Sequence, residues 1–170
     1  MKIEIFPPEK VLIDRVAILL GMARSDVERA IGKGRGIGDR CYYFNNEMAI
    51  DYDGDGNVDF VEFLGGIDGM LRPAIYGVSA FDVSADELAA LLALKNAGEV
   101  GDADNGYSYT YKNISVGIYR ETRPTDVTEM IKEMQALGVP IEGNPDVAEE
   151  KCKAEHWSAI GVGIKGYYCR

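Results

Sequence analysis

Twelve residues, Asp51 to Glu62, carry the pattern in this chain whose residue types and spacing best fit a chemical role: D-Y-D-G-D-G-N-V-D-F-V-E. Aligned on an EF-hand loop, Asp51, Asp53 and Asp55 stand at positions one, three and five. Gly56 makes the sharp turn, Asn57 offers its carbonyl, Asp59 acts through water, and Glu62 closes the set as the bidentate ligand. Calcium is the ion such oxygen ligands take, and no other cofactor is indicated. Other candidates carry less. Cys41, Cys152 and Cys169 lie far apart, without zinc or redox spacing. The loop Gly32 to Gly38, with Lys33 and Arg35, follows a helix end, where the dipole repels phosphate, and reads as a flexible surface loop. Gly161-Val162-Gly163-Ile164-Lys165-Gly166 matches a dinucleotide fingerprint, yet only Tyr167 to Arg170 follow it and the helix it needs has no room. His156, the only histidine, has no nucleophile or carboxylate placed beside it. No nucleophile–base pair can be named, so the chain reads as non-enzymatic.

The elements around the motif decide between its readings. An EF-hand needs a helix on each side, whereas Tyr42 to Phe44, Met48 to Tyr52 and Val58 to Leu64 have strand character. A three-residue turn at Gly54-Asp55-Gly56 makes a hairpin in which Tyr52 faces Val58, Ile50 faces Phe60 and Asp51 faces Asp59. An ordinary acidic hairpin is the first reading. A calcium-binding hairpin is the second, because a cation would relieve the facing aspartates. A true EF-hand comes third.

Along the rest of the chain, Lys2 to Phe6 resembles an edge strand stopped by Pro7-Pro8, and Val11 to Met22 fits a strand or a helix equally well. Capping boxes at Ser25/Glu28 and Ser84/Glu87 open two helices, the second with Leu88, Leu91 and Leu92 on its face. Tyr107, Tyr109 and Tyr111 share one face of a strand, as a binding ladder or as packing beneath a helix, and Ile114 to Tyr119 returns beside it. Thr125 to Leu137 is the strongest helix, with Val127, Met130, Ile131, Met134 and Leu137 as a core stripe. Asn144-Pro145 starts another, and Ser158 to Ile164 is a last strand.

The 170 residues fit one domain, residues 1–170. The order capping-box helix, loop, tyrosine strand, turn, strand occurs twice, which suggests an internal duplication into halves of about 1–73 and 74–170. A net charge of −10 argues against nucleic acid and anionic membranes and favours cations or a basic protein. Three unpaired cysteines and an N-terminus broken by charges and prolines point to the cytoplasm.

Gly21-Met22-Ala23-Arg24-Ser25-Asp26-Val27-Glu28, then Ala30-Ile31-Gly32, Tyr42-Tyr43-Phe44 and Asp53-Gly54-Asp55-Gly56-Asn57-Val58, resemble the β-lactamase-inhibitor-protein-like and SmpA/OmlA-like domains over Gly21 to Leu64. That resemblance implies a helix-on-sheet module that binds proteins. Those families are usually exported, and Ala23 stands where they commonly have a polar residue. Phe81 to Tyr168 is similar in style to small uncharacterised bacterial cytoplasmic proteins, some of them suspected immunity proteins of toxin systems. The expectation is therefore an α+β fold: an antiparallel sheet of about six to eight strands with helices packed on one side. The expected role is an acidic protein-binding module, an inhibitor or immunity protein masking a basic partner surface. The alternative is a calcium-binding or calcium-stabilised domain using Asp51, Asp53, Asp55, Asn57, Asp59 and Glu62.

Overall fold

The alternating segments and capped helices assemble into an α+β fold with two sheets and four helices, and the computed structural model describes residues 1–170. The N-terminal sheet contains β1 (Ile3–Phe6), β2 (Lys10–Ile13), β3 (Val16–Leu19), β7 (Pro73–Ile75) and β8 (Val78–Ser79), in the order β3-β2-β1-β7-β8. The larger sheet contains β4 (Arg40–Tyr43), β5 (Met48–Tyr52), β6 (Val58–Phe63), β9 (Val100–Gly101), β10 (Ser108–Tyr111), β11 (Val116–Tyr119) and β12 (Ala159–Gly163). Its order is β4-β5-β6-β12-β11-β10-β9. The helices are α1 (Arg24–Ile31), α2 (Ala85–Asn96), α3 (Pro124–Ala136) and α4 (Pro145–Ala154). None is long and apolar enough to cross a membrane.

The seven-stranded sheet falls within the expected six to eight strands, but a second sheet shares the work of covering it. Val11 to Met22 resolves into β2 and β3, joined at Asp14-Arg15, where Asp14 takes a positive φ of 52°. The charges that interrupt the apolar run are its turn. β1 is central rather than an edge strand, flanked by β2 and by β7, its parallel partner. One core cluster joins Ile3, Ile5, Val11 and Ile18 of the first sheet to Met48, Ile50, Val61 and Ile160 of the second, with Leu88 and Leu92 of α2.

The two capping boxes fare differently. Ser84 caps α2 through its Oγ, which accepts the Glu87 N–H at 3.2 Å. Ser25 lies inside α1, and Ala23, which has no capping side chain, stands at the cap position. The hairpin tip replaces the cap: the Gly56 carbonyl accepts the Arg24 N–H at 2.9 Å, and Glu28 pairs with Arg24 instead. In chain order α1 is followed by β4, β5 and β6, whereas α2 is followed by β9, β10 and β11 and then by α3 and α4 before β12; β6 and β12 pair antiparallel.

Candidate functional site

The Asp51–Glu62 segment is a β-hairpin, with register corrected by a bulge. Tyr52 faces Val58 as expected, but the ladder slips at Asp51/Tyr52, so Ile50 faces Val61 and Asp51 faces Phe60. Asp51 and Asp59 therefore do not oppose each other. A bulge inserts one residue and restores the buried face, which lets Tyr52 and Val58 join Ile50 and Val61 in the core.

The carboxylates are committed to internal contacts. Arg40, on the neighbouring strand, donates through Nη1 to both Asp51 oxygens at 2.9 and 2.8 Å, and through Nη2 to Glu62. Burial opposes the Arg40 charge, but Glu62, Tyr42 and Asp51 together more than offset it and hold its pKa above the ordinary value. Asp59 is gripped at 2.8 Å by both Nη atoms of Arg170. Asp53 turns inward and accepts the Asn57 and Asp55 N–H groups at 2.8 and 3.0 Å. Those backbone donors, Asn57 first, hold its pKa below the ordinary carboxylate value. The six expected calcium ligands do not converge, and no three carboxylate, histidine or cysteine side chains in the chain form a metal-binding group. The donor set does not fit the ion.

The other motifs are explained by packing. A Cβ on Gly161 would stand 2.1 Å from the Phe60 ring and one on Gly163 2.5 Å from Tyr167, so the glycines of the fingerprint make room for aromatic rings. Phe60 and Tyr167 stack at 4.6 Å beneath the last 3-10 turn, Tyr167–Cys169. Burial pushes the Tyr168 hydroxyl above the usual tyrosine range. The Gly32–Gly38 loop is less free than expected, because Arg35 and Tyr42 exchange backbone hydrogen bonds at 2.9 and 2.7 Å along the β4 edge. Cys41 is buried, Cys152 and Cys169 are exposed, and all three are free thiols.

Sequence reasoning missed the relation between β11 and β12. Tyr119 and Ala159 are direct partners in the ladder, so these strands stand where a tight hairpin would join them. Residues 120–158, 39 in all, are instead inserted between them. Their root is firmly built. Arg120, 8% exposed, donates to the Gly106 and Ala154 carbonyls and lies 4.8 Å from the Trp157 ring. Trp157 Nε1–H donates to the Ala85 carbonyl at 2.8 Å, and the Glu155 carbonyl accepts the Ala85 N–H. The tyrosine ladder belongs to this root: Tyr109 meets Trp157, Tyr107 lies under Arg123, and Tyr111 is buried with its hydroxyl donating to Ala89. At the base of α3, Arg123 grips Asp126 and lowers its pKa to about 2.

Beyond the root the insertion is scarcely buried. α3 and α4 pack mainly on each other. Of the expected α3 stripe only Val127 is buried; Met130, Ile131 and Met134 are half-exposed, and Leu137 is 80% exposed. The insertion, residues 120–158, holds nine carboxylates against five cations, a net −4 of the chain's −10.

Comparison of the chain with protein-family models, with curated proteins and with solved structures found no match.

Proposed function

We propose that the chain is a non-enzymatic, acidic protein-binding module that covers a basic surface on its partner, in the manner of an inhibitor or immunity protein. The observation that carries this reading is the concentration of negative charge on the insertion, residues 120–158, net −4 within a chain of −10. Elsewhere the arginines are largely spent on internal pairs: Arg24 with Glu28, Arg40 with Asp51 and Glu62, Arg170 with Asp59. The surplus of acid remains available to steer a cationic partner, and such steering speeds capture and weakens with ionic strength. The resemblance of Gly21 to Leu64 to protein-binding modules points the same way. The calcium reading draws no support from carboxylates that already hold arginines.

The test is affinity capture from extracts of the native host with the full chain immobilised at low salt. The reading predicts retention of a basic protein that is released as salt is raised and that rebinds when purified. If only acidic or neutral proteins are retained, or none is, the reading fails.

A further inference from the structure

The insertion is built as an arm. A segment of 39 residues replaces what the register of Tyr119 and Ala159 would allow to be a turn of two to five residues. Its root is fixed through Arg120 and Trp157, while its distal part exposes apolar groups: Leu137 at 80% and Val139 at 38%, continuing the half-exposed Met130 and Met134. Methionine side chains adapt to varied partners, and on α3 they stand beside Glu129 and Glu133, with the exposed Glu142 on the loop that follows. An apolar stripe with carboxylates along one edge is the chemical complement of a helix with leucine-type residues on one face and lysine or arginine beside it.

We infer that the α3–α4 arm is a docking surface for a basic amphipathic helix of a partner protein, with Leu137, Met134 and Met130 as the apolar seat and Glu133 and Glu142 as part of the charged rim. This rests on the acidic-binder reading and adds where on the chain the partner sits and which element it offers. The charge complementarity commits the occupant to a cationic helix; a second copy of this chain brings another net −10 and is repelled.

The probe is a short fluorescent peptide of leucine and lysine at amphipathic helical spacing, titrated into the full chain and followed by anisotropy. A serine–lysine peptide of equal charge is the companion. Saturable binding of the first is expected, with the second at least about tenfold weaker. Leu137→Gln, an exposed and uncharged change, should weaken binding about tenfold at all salt concentrations. Glu133→Lys with Glu142→Lys should weaken it at low salt, with the gap closing as salt rises. The charge-matched pair Asp39→Lys with Asp55→Lys, both exposed and distant in sequence, should have a much smaller effect. No saturable binding, equal binding of both peptides, or indifference to the arm substitutions would overturn the docking surface. Because the host partner is tested separately by capture, a captured basic protein that ignores Leu137→Gln and the Glu133/Glu142 reversal sinks the arm and leaves the acidic-binder reading standing.

Discussion

Arg40→Met is the sharpest perturbation of the Asp51–Glu62 hairpin. Methionine keeps most of the apolar stem but removes the guanidinium that Asp51 and Glu62 share. The three side chains are 34%, 26% and 23% exposed, so the charges are neither free in water nor sealed from it. A charge-assisted hydrogen bond contributes roughly 1.5–3 kcal/mol, and solvent screening of partly exposed pairs reduces the total for two carboxylates to about 2–4 kcal/mol. For a chain of this size that is a fall in Tm of roughly 5–15 °C. Urea denaturation at neutral pH should show the loss with an unchanged slope. The triple variant Arg40→Met, Asp51→Asn, Glu62→Gln should recover most of it. A loss under about 0.5 kcal/mol, the range of ordinary surface substitutions, would refute the argument that these acids are held by Arg40.

Three further outcomes follow from the same geometry. Calcium should leave the Tm of the native chain where it is, and chelator likewise; a rise equivalent to about 2.7 kcal/mol, which a native-state ligand gives at a hundred times its Kd, would show that the carboxylates abandon their arginines for the ion. Gly161→Ala should cost roughly 1–3 kcal/mol by overpacking against the Phe60 ring, and adding Phe60→Leu should return part of that in a double-mutant cycle; additive losses would contradict direct contact. Asp126, depressed to about 2 by Arg123, contributes stability that is present above its unfolded value of about 3.9 and lost as the pH falls through 2. Asp126→Asn should therefore lower stability at neutral pH and flatten its pH dependence between 4 and 2, as read by acid titration of the unfolding midpoint.

Local chemistry was legible where one segment settles its own structure. Ser84 with Glu87 opens α2, Asn144-Pro145 opens α4, and Tyr52 faces Val58 across the hairpin. It failed where another segment supplies the missing partner. Ser25 and Glu28 spell a capping box, but the Gly56 carbonyl takes the first donor of α1 and moves its start. The bulge at Asp51/Tyr52 could not be placed from alternation, because a one-residue slip is set by which side chains the opposite layer buries. Arg40 stands outside the calcium motif, eleven residues before Asp51 and on its own strand, so the pattern gave no sign that two of its acids were already paired. The arm was hidden for a related reason. Its two flanking strands are unremarkable alone, and only their pairing shows that residues 120–158 interrupt a hairpin. The α3 stripe was visible, but amphipathic spacing states which face is apolar and not what covers it.

Whether a cationic helix meets the arm is reported directly by the chain's six methionines. With methyl-labelled methionine, titration of the leucine–lysine peptide should shift the Met130 and Met134 resonances and leave buried Met48 and the 89% exposed Met70 in place. Shifts centred on Met70, or none at Met130 and Met134 while the peptide binds, would contradict it.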